Sequence, residues 1–236
     1  MPSPNPTVLL TRPNAQAQEF RALLGPEVVV VISPVMQIEH LAIPVNGDAY
    51  AVFAFASRNG VIAAAKSIDL AGRRAITVGD KTAEAAAKFG MITTSAGGTS
   101  RDLVQVTKDA KPGGKILFIR GEHSQGDVAE NLNSAGIDTD SAIAYRQTPQ
   151  SLSPVAQGLL CGEEPVIVPL FSARSARLLS DEAIKCRACA PLILVAISES
   201  VLAAWHGPAP AHVAVANQPT GGAMVKEILA QIDHRS

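Results

Sequence analysis

The chain has 236 residues, of which 47% are apolar and 17% charged, a balance that excludes intrinsic disorder and fits two ordinary domains or one large one. Twenty basic against 21 acidic residues leave a net charge of −1, so no basic field favours nucleic acid, and an anionic ligand must be met by local charge. No apolar run approaches the roughly 18 to 20 residues of a membrane span, and Met1-Pro-Ser-Pro-Asn-Pro6 lacks the charged and apolar regions of a signal peptide. The expectation is a cytoplasmic monomer with neither a membrane nor a nucleic-acid partner.

Along the chain, short apolar runs alternate with alanine-rich stretches, the order that builds parallel α/β sheets. Strands are predicted at Val8–Thr11, Val28–Ile32, Tyr50–Phe55, Ala75–Val78, Lys115–Ile119, Val166–Leu170, Leu192–Ile197 and Val213–Val215. Helices are predicted to start near Pro13, Arg58, Lys81, Ser100, Gln125, Leu152, Ala173, Glu199 and Gly221, several of them behind a Ser, Thr or Asp able to cap free N–H groups. Gly25, Gly90 and Gly136 stand where helices should stop.

Two proline-flanked, extended segments break the alternation, Ser33–Leu41 and Ile143–Pro149. If they pair as connecting strands, one domain is inserted in the other: domain 1 is discontinuous, 1–34 and 149–236, domain 2 is 42–142, and the linkers are 35–41 and 143–148.

The polar residues with chemical potential occur twice in the same order. Ser57-Arg58-Asn-Gly60 is followed by Val78-Gly79-Asp-Lys-Thr82 and Gly97-Gly-Thr-Ser100. Phe171-Ser172-Ala-Arg174-Ser is followed by Ile197-Ser-Glu-Ser200 and Gln218-Pro-Thr220. Ser57 to Thr82 spans 25 residues and Ser172 to Ser200 spans 28. Hydroxyls at such turns are ordinary helix caps, and it is their ordered duplication that makes them binding candidates.

Seven motifs in order resemble the uroporphyrinogen-III synthase family: Leu9-Leu-Thr-Arg12-Pro13, Phe55-Ala-Ser57-Arg58-Asn-Gly-Val61, Val78-Gly79-Asp-Lys-Thr82-Ala83, Ile116-Leu-Phe-Ile-Arg120-Gly121, Ala144-Tyr145-Arg146, Phe171-Ser172-Ala-Arg-Ser-Ala176 and Gln218-Pro219-Thr220. The resemblance implies two flavodoxin-like α/β domains joined by a two-stranded ladder, with the active site in the cleft between them. It also implies a reaction: hydroxymethylbilane loses its terminal hydroxyl and closes with ring D inverted, through a spiro-pyrrolenine and without metal or organic cofactor. The substrate can cyclise unaided to the uninverted isomer, so such an enzyme must control conformation through preorganised contacts.

The resemblance makes Tyr145 the catalytic candidate, a phenol able to donate a proton to the departing hydroxyl; the plain alternative is a strand tyrosine packing its ring. Ser57, Thr82, Ser100, Ser172, Ser200 and Thr220 are candidate substrate contacts at helix N-termini, which favour the substrate's eight carboxylates. Arg12, Arg58 and Arg120, with Arg146 and Arg174, are candidate carboxylate forks, although most arginines are simply solvated. Ser198-Glu199-Ser200 departs from the family's glycine and threonine, which weakens the role given to Ser200 and leaves Glu199 to serve the helix dipole.

The remaining features read plainly. His40, His123, His206, His212 and His234 show no ligand spacing, so no metal is expected. Cys186-Arg-Ala-Cys189 has the form CxxC but no second pair beside it. Lys111-Pro-Gly-Gly114 and Gly97-Gly98-Thr99 lack the continuations of phosphate and dinucleotide loops. The alternative from another class is a non-catalytic two-domain protein binding a small polyanion. A two-domain glycosyltransferase would need a nucleotide site that the sequence lacks.

Overall fold

A computed structural model describes residues 6–123 and 127–233. The helix start expected near Gln125, the histidine His234 and the first five residues lie outside this range. The chain divides into two compact units, 1–37 with 148–236, and 38–147.

The first unit contains β1 (Thr7–Leu10), α1 (Asn14–Leu24), β2 (Val30–Ile32), α6 (Pro154–Leu160), β9 (Val166–Leu170), α7 (Ala173–Lys185), β10 (Leu192–Ala196), α8 (Glu199–Leu202), β11 (His212–Val215) and α9 (Gly221–Asp233). Its sheet runs β11-β10-β9-β1-β2, all parallel. The second unit carries β4 (Val52–Phe55), α2 (Arg58–Ala64), β5 (Arg74–Thr77), α3 (Asp80–Ala87), β6 (Ile92–Ser95), α4 (Ser100–Ala110), β7 (Ile116–Gly121) and α5 (Val128–Ser134). With β3 (Met36–His40) and β8 (Thr139–Pro149), its strands make a sheet ordered β3-β8-β7-β4-β5-β6.

Both sheets are covered on two faces, which is why their central strands are continuous apolar runs with every residue buried in β4, β9 and β10. Successive side chains alternate between the two cores. Val166, Val168 and Leu170 join Leu160 and Leu179 in one core, whereas Ile167 and the neighbouring Ile193 and Val195 meet Phe20, Met224 and Ile228 in the other. In the second unit Phe53 and Phe55 face Val61 and Ala64, and Val52 and Ala54 face Leu103 and Leu132.

With the edge strand β3 left aside, the two sheets have the same plan: β11-β10-β9-β1-β2 matches β6-β5-β4-β7-β8 strand for strand. The chain visits the matched strands in a different cycle, however. In the second unit β4, β5 and β6 precede β7 and β8, whereas in the first the equivalents of β7 and β8 come first, as β1 and β2. The units are circular permutations of one arrangement, and the repeated motifs fall on matched central strands, Ser57 after β4 and Ser172 after β9.

The structure departs from the sequence expectations at several places. β6 has no counterpart among the predicted strands: Ile-Thr-Thr-Ser has no apolar run, because it is an edge strand of alternating exposure that pairs, among the described residues, with β5 alone. β8 starts at Thr139, earlier than the proline-flanked segment, since Thr139–Ala142 already pair with Ile116–Ile119. Tyr50 lies outside β4 and ends a short 3-10 turn, Gly47–Ala49. The expected helix at Leu152 starts at Pro154 behind the cap Ser153, and α8 is a single turn.

Candidate active site

In both units most of the sequence candidates stand at or just after the carboxyl ends of parallel strands, where open α/β sheets bind ligands, at the point where strand order reverses. In the second unit that point lies between β4 and β7. Ser57, directly after β4, caps α2: its Oγ accepts the Gly60 N–H at 3.3 Å and donates to Tyr145 Oη at 2.8 Å. Tyr145 reaches Ser57 over Gly121. The β7–β8 register slips between Arg120 and Gly121, setting Gly121 beside Tyr145. A Cβ on Gly121 would fall 2.6 Å from Tyr145 Cζ and 2.8 Å from its Oη, so only glycine leaves room for the ring. Tyr145 also lines a small cavity of about 50 Å³ with Gly121, Glu122, His123 and Gln147.

The other candidates of this unit are placed apart. Arg58 is the first residue of α2, half-buried next to Ser57. Arg120 donates from Nε to Ser141 Oγ at 3.0 Å and from Nη1 to the Gly121 carbonyl at 3.2 Å, tying β7 to β8. Thr82 is the third residue of α3 and buried; the capping position expected of its turn belongs to Gly79, which has no side chain to cap with. Ser100 likewise starts α4 one residue after the cap, Thr99, which forms a capping box with Asp102. It lines a groove of about 820 Å³ with Thr99, Arg101, Lys108, Asp127 and Asn131, residues that do not include Tyr145.

In the first unit the reversal lies between β1 and β9. Arg12 holds its guanidinium 4.1 Å from the Phe171 ring centroid and donates to Gln16 Oε1 at 3.3 Å. Stepping the registers onward one residue at a time, from Val8 opposite Ile167 and from Phe55 opposite Ile119, sets Arg12 beside Phe171 and Arg120 beside Ala56. The two arginines thus occupy matching places, one residue before the matched serines. Ser172 caps α7, accepting from Ser175 N at 3.2 Å. Thr220 Oγ1 accepts from Ala223 N at 3.2 Å in the first turn of α9. Ser200 is the second residue of α8, with Ser198 at the capping position and its Oγ 3.0 Å away. Arg146, also a candidate fork, is already held by Glu39 at 2.7 and 2.8 Å, which keeps the Glu39 carboxyl below its usual range.

One residue read plainly from the sequence acquires partners. Leu41 N–H donates to the Ala144 carbonyl at 2.8 Å, and Glu39 meets Arg146, an antiparallel register that sets His40 opposite Tyr145. Such a pair shares one face of the sheet, with Cβ atoms about 4.5–5.5 Å apart. His40 Nδ1 lies 2.8 Å from Lys66 Nζ, and burial, then the Lys66 charge, lowers its pKa. Its Nε2 is buried with no hydrogen-bond partner among the described residues. No local pattern marks His40; the proline-flanked ladder was the only signal that it would approach Tyr145.

Among the described residues no group of three or more His, Cys, Asp or Glu is placed to hold a metal ion, and no helix is long and apolar enough to cross a membrane.

A family model described as uroporphyrinogen-III synthase HemD matches residues 20–226. The chain belongs to the uroporphyrinogen-III synthase family. That family consists of lyases of tetrapyrrole and heme biosynthesis. The uroporphyrinogen-III synthetase structure from Helicobacter pylori 26695 is similar with a TM-score of 0.67 at 13% identity, covering 96% of this chain and 99% of that one. A mutant uroporphyrinogen III synthase from the extremely thermophilic bacterium Thermus thermophilus is similar at 0.52 and 16% identity, over 96% and 99% of the two chains. At these identities the likeness is one of fold, and it agrees with α/β units built on parallel sheets. No curated protein matches significantly.

Proposed function

We propose that this chain closes hydroxymethylbilane to uroporphyrinogen III, with loss of water and inversion of ring D, and that Tyr145 delivers the proton to the departing hydroxyl. The observation that carries this reading is the Ser57–Tyr145 hydrogen bond. Ser57 Oγ spends one lone pair on Gly60 N–H and its proton on Tyr145 Oη. The phenolic proton therefore remains available for a leaving oxygen. The hydroxyl departs as water, the phenolate faces the cationic bilane end, and the proton is recovered when the closed macrocycle loses one.

Binding rather than acid strength carries the rest of the scheme. The uncatalysed ring closure gives the uninverted isomer, so the enzyme's task is to hold the reactive end in one geometry. Arg12, Arg58 and Arg120, at the carboxyl edges of the sheets, are the proposed cations for the substrate's carboxylates. Ser57, Ser172 and Thr220 at helix caps, and Thr82, Ser100 and Ser200 in first turns, are the proposed neutral contacts. The scheme calls on no metal and no organic cofactor.

The test is an assay with freshly made hydroxymethylbilane that resolves isomers I and III. Isomer III in excess is expected. Isomer I alone at the spontaneous rate would overturn the reading, and tight product binding without turnover would favour a binding protein.

A further inference from the structure

The CxxC pair, which has no second pair in sequence, gains a third cysteine in the fold. Cys161 follows α6 and Cys186 follows α7 as their C-caps, and both helices pack on the same core of the first unit. Cys161 Sγ donates to the Cys186 carbonyl at 3.0 Å, and Cys189 Sγ donates to the Cys161 carbonyl at 3.2 Å. The backbone fixes this meeting, because Cys189 N and Ala190 N both donate to the Leu160 carbonyl, at 2.9 and 3.0 Å. All three thiols are free, Cys161 and Cys189 exposed and Cys186 half-buried.

We propose that Cys161 and Cys186 form a peroxide-sensitive modification site that closes to a reversible disulfide clamping the C-terminus of α6 to that of α7. Burial first, and then Cys161, push the Cys186 thiol up to about 11, so Cys186 stays protonated and is the poorer first target. The exposed Cys161 takes the oxidant. Its sulfur is oxidised by hydrogen peroxide to the sulfenic acid, releasing one water. The Cys186 sulfur then displaces that hydroxyl, and its own proton leaves with the oxygen as a second water. Two thiols give up two electrons and the peroxide is reduced to two waters. A dithiol reverses the bond by exchange.

The position sets the consequence. α7, capped by Ser172 at the carboxyl edge of the sheet, begins at Ala173 and ends at Lys185, at the opposite edge. The clamp therefore fastens the far end of the helix, closes a loop around β9 and α7, and leaves the polar groups of the carboxyl edge chemically untouched.

The full-length chain, reduced and then treated with a few equivalents of hydrogen peroxide, is alkylated and mapped without reduction. A cross-linked peptide joining Cys161 to Cys186 is expected, lighter than the two free peptides by two hydrogen atoms and released by a dithiol. Cys189→Ser should leave this cross-link intact, whereas Cys161→Ser should abolish it. Alkylation of all three thiols after oxidant would overturn the proposal. So would a cross-link between Cys186 and Cys189, between Cys161 and Cys189, or between two chains. The mapping of the unmodified chain decides the matter even where a serine variant does not fold.

Discussion

Tyr145 Oη and Ser57 Oγ lie 2.8 Å apart although 88 residues separate them in the chain. The bond bridges the reversal of strand order, from the turn that follows β4 to the middle of β8, across β7. Ser57 has two jobs in this arrangement. It satisfies the Gly60 N–H of α2 and fixes the phenol, so a local capping preference also becomes a long-range restraint on the candidate acid.

Tyr145→Phe should remain folded and lose turnover. The variant keeps the ring packing over Gly121 and removes one hydrogen bond, a stability cost of about 1 kcal/mol. A well-placed general acid contributes roughly 10² to 10⁴ in rate, and residual activity through water should survive. Because the proton matters most as the C–O bond breaks, kcat should fall more than substrate binding weakens. Single-turnover kinetics with hydroxymethylbilane beside a urea melt checks both halves. Unchanged turnover in a folded variant would reduce Tyr145 to a packing residue.

Ser57→Ala should lower stability by about 1 kcal/mol through the lost cap and, separately, lower turnover by freeing the phenol. The two effects part company in a double-mutant cycle with Tyr145→Phe. Residues in direct contact couple by about 0.5 to 3 kcal/mol, so the double variant should lose less activity than the two single losses multiplied. Strict multiplication of the two losses would show that Ser57 does not act through Tyr145.

Much of this fold was legible because each central strand is buried on both faces and so reads as an uninterrupted apolar run, as Val166–Leu170 does at its observed limits. The caps at Ser57 and Ser172 were legible for a related reason, since a serine directly after such a run has free N–H groups to satisfy. β6 was hidden because an edge strand needs no apolar run. The displaced cap at Thr82 was hidden because Gly79 takes the capping position through backbone conformation alone. The permutation of the units was half visible: matched spacings announced a repeat, but only the sheet shows that β1 and β2 stand where β7 and β8 do. The Ser57–Tyr145 bond and the Cys161 contact with the CxxC turn depend on tertiary placement and leave no local pattern.

The His40 environment predicts an acid-side instability. Burial and then Lys66 lower its pKa in the folded state, so between the unfolded value, about 6.5, and that lower value the unfolded chain binds more protons. The neutral imidazole's contribution is full above about pH 6.5 and declines as the pH falls. His40→Gln keeps a polar side chain without that titration and should flatten the decline relative to the parent. Urea melts of both proteins at about pH 7 and about pH 5.5, on either side of the unfolded value, measure the difference. Parallel stability curves would place His40 in an environment that does not distinguish its two charge states.

Gly121→Ala tests the seat of the phenol without touching any hydrogen-bonding group. The added Cβ would lie 2.6 Å from Tyr145 Cζ and 2.8 Å from both Cε2 and Oη, closer than any unstrained contact. Gly121 is absent from the positive-φ glycines, so alanine meets no backbone penalty there and the clash with the ring is the whole effect. Overpacking of this kind costs about 1 to 3 kcal/mol, relieved by swinging the ring away from Ser57. Turnover should therefore fall with Tyr145 still present, and Gly121→Ala on a Tyr145→Phe background should add little further loss. A Gly121→Ala protein with parental turnover would mean that the phenol is not held where the acid is needed.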